Sequence, residues 1–229
     1  MARSGPDGAS VVLAIMAKVP RAGEVKTRLC PPLTAAEAAE IYRCFLLDKI
    51  EQVRGLPGVT PAIAYAPPEE RRVFEDLAPG WVLVAQRGPD LGSRLDHAFE
   101  DLLALGHQGV VMIDSDTPSL PREYLAEAVA RLTSPGVDLI LGPSEDGGYY
   151  LIGLRAPQPE LFSRMAWSTP DVLPETLRRA RALGLRPALL PPWFDVDTGE
   201  DLERLRVSLR AAAGPTPRHT RRFLLDGAR

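Results

Sequence analysis

Two short stretches of this chain concentrate side chains that could act on an anionic substrate. Residues 17–29 read AKVPRAGEVKTRL and carry Lys18, Arg21, Lys26 and Arg28, four cations within eleven residues, with Gly23 and Thr27 among them. Positive side chains beside a glycine that permits close backbone approach suit a di- or triphosphate. Residues 114–118 read DSDTP and place Asp114 and Asp116 where the chain leaves an apolar run. Hard carboxylate oxygens of this kind bind Mg²⁺ or Mn²⁺, which keep waters and share the phosphate oxygens of a substrate. Lysine is otherwise rare, since Lys18, Lys26 and Lys49 are the only lysines among 27 basic residues. Two of the three therefore fall in one loop.

Three further segments add polar pieces. Asp195 and Asp197 form a second acidic pair ahead of Thr198 and Gly199. Residues 87–94, RGPDLGSR, offer Asp90, Gly92 and Arg94 at a helix start, where backbone N–H groups meet a phosphate, ribose or base edge. Residues 144–150, SEDGGYY, supply Glu145 and Asp146, two glycines for close approach (Gly147 and Gly148) and Tyr149, an aromatic that stacks on a sugar or base or else packs in the core. Each piece has a bland counterpart: charge runs are commonly solvated, and an Asp or Thr before a helix is an ordinary N-cap. What favours function is their convergence on one edge of the fold.

Several chemistries are excluded. A Walker A loop would need glycine where Val25 stands, and the GxGxxG of a dinucleotide fold is absent. His97, His107 and His219 are too dispersed for a Ser/His/Asp set or a histidine metal site. Cys30 and Cys44 fit neither a disulfide framework nor a zinc pattern and read as free thiols.

The elements that must position these residues follow from periodicity. Apolar runs of strand length cover 11–16, 60–65, 81–86, 109–113, 137–141, 149–154 and 186–190. Helical patterns lie at 34–53, 68–77, 91–105, 122–132, 170–183 and 200–213, the first opened by a Thr34/Glu37 capping box and the fifth by Thr169 before Pro170. Strands alternating with helices imply a layered α/β domain with a mainly parallel sheet. The segment between 141 and 149 is too short for a crossover, so an antiparallel element is expected there. In open sheets of this class ligands bind outside the carboxyl ends of the strands, where the polar loops fall.

At 229 residues, 45% hydrophobic and with a net charge of -3, the chain reads as one domain over 1–213, followed by a basic, loosely ordered tail over 214–229. Nothing in that balance calls for nucleic acid, no run is long enough to span a bilayer, and no signal-type segment is evident, so the cytoplasm is the default expectation. Oligomeric state is not legible.

Taken in order, MAKVPRAGEVKTRL, GPDLGSRL, VVMIDSDTPSL, LGPSEDGGYYLIGL, WSTPDVL and DVDTGEDL resemble the bacterial DUF2064 family, described as glycosyltransferase A-like (GT-A) or nucleotide-diphospho-sugar transferases. More distantly the set is similar to guanylyltransferases that load phospholactate or molybdopterin with GMP. The resemblance runs across most of the chain and implies a single-domain GT-A-like α/β/α sandwich that binds a nucleotide sugar or an NTP with Mg²⁺ or Mn²⁺, together with a small acceptor. By that resemblance Lys26 and Arg28 match the phosphate-contacting loop, Asp116 the metal-binding aspartate, and Asp195 or Asp197 the second metal-side position. Gly147, Gly148 and Tyr149 match the acceptor-side loop, where Glu145 or Asp146 could serve as general base. The pattern departs at Asp114, which stands where the family has glycine. Three functions stay open on these residues: glycosyl transfer from a nucleotide sugar, nucleotidyl transfer from an NTP to a phosphorylated acceptor with release of pyrophosphate, and non-catalytic nucleotide binding.

Overall fold

The computed structural model describes residues 11–211 and 217–226. All seven apolar runs become strands of one sheet: β1 (Val11–Lys18), β2 (Val59–Ala66), β3 (Val82–Ala85), β4 (Gly109–Ile113), β5 (Leu139–Pro143), β6 (Tyr149–Leu154) and β7 (Pro187–Leu189), in spatial order β3-β2-β1-β4-β6-β5-β7. Every neighbouring pair is parallel except those of β6, which runs antiparallel to both β4 and β5. The short 144–148 connection permits only that reversal.

The helices are α1 (Ala35–Arg54), α2 (Arg71–Leu77), α3 (Leu91–Leu103), α4 (Arg122–Thr133), the four-residue α5 (Pro159–Phe162), α6 (Val172–Ala182), α7 (Gly199–Ala211) and α8 (Arg218–Arg221). Along β1, Val11, Leu13 and Ile15 alternate with Val12 and Ala14, and both sets are buried because both faces of the sheet are covered. The first set packs with Leu46, Ile50 and Val53 of α1 and Leu125 and Leu132 of α4. The second packs with Leu95, Phe99 and Leu102 of α3 and Ala180 of α6. The result is the expected α/β/α sandwich.

Boundaries shift where local chemistry differs from the sequence pattern. The Thr34/Glu37 capping box forms as read. Thr169 does not cap α6; its hydroxyl bonds back to the Ala166 carbonyl, and the helix starts at Val172. Residues 27–29 make a 3-10 turn inside the basic loop, and α5 has too few residues to carry a periodic signal.

The expectation of a loose tail fails for residues 217–226. Asp48 on α1 accepts hydrogen bonds from the backbone N–H of His219 at 2.9 Å, the N–H of Thr220 at 2.8 Å and the Thr220 hydroxyl at 2.6 Å. This caps α8, while Phe223, Leu224 and Leu225 pack against the cluster formed by α1 and α7. Residues 214–216 and 227–229 of that expected tail lie outside the described residues. Among the described residues no helix is long and apolar enough to cross a membrane.

Candidate active site

Three loops meet at the carboxyl edge of the sheet: the one after β1, the one after β4 and the one leading into α7. Two apolar residues bring them together. Leu29 of the basic loop and Val196 of the DVD sequence are both buried in one cluster with Ile41 and Phe45 of α1. A backbone bond from Val196 N–H to the Asp116 carbonyl, 3.0 Å, then fixes the second acidic pair beside the first. The charged residues flanking these apolar anchors thereby become neighbours.

Lys26 stands at the centre of this edge. Its backbone is left-handed (φ 48), its side chain is only 4% exposed, and its Nζ lies 2.7 Å from Asp116 Oδ1 and 2.9 Å from Asp197 Oδ1. Burial alone would lower the ammonium's pKa, but Asp116 and Asp197 outweigh it and hold the group above its usual range, so it is charged. Arg28 also donates to Asp197. Tyr42 of α1 ties the loops from below: its hydroxyl accepts from the Lys18 N–H at 2.9 Å and lies 3.0 Å from Ser115 Oγ. Burial, with Asp116 nearby, pushes that phenol up to about 12, so it remains a neutral hydrogen-bonding group.

Asp114 turns inward. Its Oδ1 accepts from the Thr117 hydroxyl at 2.6 Å and from the Asp116 N–H at 3.3 Å, and lies 4.0 Å from Nζ of the fully buried Lys49. Burial raises the carboxyl and lowers the ammonium, each opposed by the other's charge. Asp195 takes a 2.6 Å hydrogen bond from the Ser144 hydroxyl; burial raises its pKa and that bond restrains the rise.

Of the expected residues, Lys18, Lys26, Thr27, Arg28, Arg94, Asp114, Asp116 and Asp197 line one cleft of about 490 Å³. Tyr42, Gln86, Leu91 and Ser115 line it too. No motif announced Tyr42 or Gln86, because each reaches the edge from a position that reads as ordinary helix or strand end. Gln86 braces the floor, its Nε2 donating to the carbonyls of Ala17 at 3.1 Å and Ala64 at 2.8 Å. An adjoining cleft of about 500 Å³ shares Lys18, Gln86 and Arg94 with the first and extends to Pro67, Arg87 and Gly88.

Other expected residues are used elsewhere. Arg21 pairs with Glu70, and Gly23 (φ +81) forms a turn in open space. Asp90 caps α3, and Gly92 packs that helix closely, since a Cβ there would lie 2.6 Å from the Phe162 carbonyl oxygen. Glu145 forms a forked pair with Arg204 of α7. Asp146 accepts from the Gly148 N–H at 2.9 Å, and Gly147 (φ +94) lies against the backbone of Pro170. Tyr149 packs edge-on to Trp167 in the core rather than presenting its ring for stacking. The segment 144–148 thus serves as the turn between β5 and β6, and the acidic pair it contains is partly committed.

One cluster of metal-ligand type lies away from the cleft: Asp48, Glu51 and His219, with donor atoms within 4.8 Å of one another. Its oxygens already serve α8, Asp48 through the cap and Glu51 through Arg218 and His219.

The sequence and the fold have counterparts among known proteins. Residues 49–169 match DUF2064, described as an uncharacterized protein conserved in bacteria. A solved structure from Desulfovibrio desulfuricans G20, provisionally named a nucleotide-diphospho-sugar transferase, is 32% identical over 94% of this chain and 95% of its own, with a TM-score of 0.85. The chain belongs to the DUF2064 family. The fold of this DUF2064 protein extends to more distant structures. CMP:2-keto-3-deoxy-manno-octonic acid synthetase, solved with CTP, is 13% identical with a TM-score of 0.59, covering 89% of this chain and 99% of its own. Glucosyl-3-phosphoglycerate synthase of Mycobacterium tuberculosis, solved with Mn²⁺, UDP and glucosyl-3-phosphoglycerate, is 14% identical with a TM-score of 0.51, covering 82% and 71%. At those identities the likeness is one of fold. No curated protein matches the sequence.

Proposed function

We propose that this DUF2064 protein transfers a sugar from a nucleotide-sugar donor to a small acceptor, with a divalent cation at the sheet edge. The observation that carries the reading is the meeting of Asp116, Asp197, Lys26 and Arg28 at one cleft wall. The donor set fits a hard cation, since carboxylate oxygens from two loops are held within reach of a single ammonium. Asp116 and Asp197 would hold Mg²⁺ or Mn²⁺, with Asp114 and Asp195 on the same loops. When bound, the ion supplies charge neutralisation to the phosphate oxygens of the departing nucleotide. Lys26, Arg28, Lys18 and Arg94 add preorganised positive charge around those oxygens, where it counts most as negative charge develops in the transition state. Asp146, beside Asp195 and in the turn before β6, is the candidate base toward an acceptor hydroxyl.

Nucleotidyl transfer is the second reading. It is favoured by the number of cations at the cleft, since Lys18, Lys26, Arg28 and Arg94 together suit three phosphates. Thermal-shift titration with nucleotide sugars and NTPs, each with and without Mg²⁺ or Mn²⁺, tests both, because a ligand of the native state raises its apparent stability. Release of an NDP from a nucleotide sugar supports the first reading, and pyrophosphate formed from an NTP and a phosphorylated acceptor supports the second. No stabilisation by any nucleotide overturns both.

A further inference from the structure

We infer that Lys26 is a counter-ion switch that makes metal binding and phosphate binding depend on each other. The inference rests on the reading of Asp116 and Asp197 as the metal-side carboxylates. The Lys26 ammonium lies between those two carboxylates, 2.7 and 2.9 Å from one oxygen of each. A divalent cation that bound the same oxygens would have to displace it.

Displacement is unfavourable unless the ammonium finds another anion. Lys26 is almost wholly buried, and among the described residues Asp116 and Asp197 are its only acidic partners within 4.0 Å. A buried ammonium deprived of its partners loses much of what offsets its desolvation. Arg28 already balances part of the charge on Asp197, so a dication arriving alone adds positive charge to a site that is close to neutral. A diphosphate reverses that balance. It brings oxygens that accept from Lys26 while the cation takes over the carboxylates.

The geometry suits such an exchange. The backbone of residue 26 is held by the 3-10 turn that follows it and by the buried neighbours Val25 and Leu29, so the motion falls to the four-carbon side chain. A lysine head is a compact charge with rotatable donors, whereas an arginine fork would be committed to one carboxylate geometry. Coupling of this kind is reciprocal: whatever phosphate does for metal affinity, metal does for phosphate affinity.

The test is Mn²⁺ binding to the full chain without nucleotide, read from the electron paramagnetic resonance signal of free Mn²⁺. Lys26→Met should bind Mn²⁺ about tenfold more tightly than the wild type, and Lys26→Gln should show the same gain, because both remove the competing charge. Lys18→Met, which removes a cleft cation that contacts no carboxylate, should gain much less. Adding Asp116→Asn to Lys26→Met should abolish the gain. The inference is overturned if Lys26→Met binds no more tightly than the wild type, or gains no more than Lys18→Met. If the wild type nevertheless binds Mn²⁺ with UDP in an Asp116-dependent way, the proposed function survives that loss. A gain that persists without Asp116 overturns the metal-side assignment and the inference with it.

Discussion

The Lys49 ammonium lies 4.0 Å from Asp114 Oδ1, fully buried and without a hydrogen-bond partner among the described residues. The pair sits beneath the cleft floor and explains how an inward-turned carboxylate is tolerated at residue 114. Each member offsets the desolvation of the other, so removing one leaves an uncompensated charge. Lys49→Met and Asp114→Asn should each destabilise the protein by about 1–3 kcal/mol, and the double variant should cost clearly less than their sum. Urea unfolding of the four proteins measures this; strictly additive losses would dissolve the pair.

Asp116 shares its oxygen with Lys26 and its backbone carbonyl with Val196, so its side chain can be changed without undoing the loop pairing. Asp116→Asn should keep the fold yet lose the metal-dependent part of nucleotide stabilisation, with kcat/KM falling about 100-fold or more, the scale seen when a group that stabilises developing charge is removed. Circular dichroism and thermal shift with and without Mg²⁺ check it. An unchanged metal response would take Asp116 off the ligand set.

Gly147 and Gly23 both have positive φ, +94 and +81, but only Gly147 faces a wall, with the Pro170 carbonyl oxygen 2.4 Å from where a Cβ would stand. Gly23→Ala should cost about 1 kcal/mol, the backbone strain alone. Gly147→Ala carries the clash as well and should cost at least about 2 kcal/mol, because the turn before β6 must lift off the start of α6. Equal losses in denaturant melts would mean that the close approach is easily relieved.

Asp138 joins β5 to the strand entry at Arg186, accepting from its Nε at 2.7 Å, its Nη2 at 2.9 Å and its N–H at 3.1 Å. Those hydrogen bonds hold the carboxyl down at about 2, below the roughly 3.9 of an unfolded chain. A depressed pKa contributes stability above the unfolded value, and that contribution disappears as pH falls from about 4 to about 2. Asp138→Asn should therefore melt slightly below the wild type at pH 7, with the gap closing across that acid range. The effect is small because Arg186 is exposed. A gap that stayed constant down to pH 2 would deny the pair its role.

The alternation of strands and helices, the capping box at Thr34 and the reversal around 144–148 were all legible in sequence, because each follows from local periodicity or from a connection too short for a crossover. The candidate phosphate and metal residues were legible too, as Lys26, Arg28, Asp116 and Asp197 are polar residues on loops that a parallel sheet must place at its carboxyl edge. Roles that depend on a distant partner were not. Asp90 looks the same in sequence whether it meets a phosphate or caps α3, and Tyr149 whether it stacks on a sugar or packs against Trp167. Tyr42, Gln86 and Lys49 lie in ordinary helix and strand-end contexts, and only burial beneath the site gives them meaning. Asp48 holds α8 across 171 and 172 residues of sequence, beyond any local signal. The sequence by itself determined the seven strands, the six longer helices and which loops share an edge, since those follow from short-range spacing. The tertiary structure alone decided which charges meet, because the Leu29–Val196 packing and the Val196–Asp116 backbone bond set that pairing through contacts far apart in the chain.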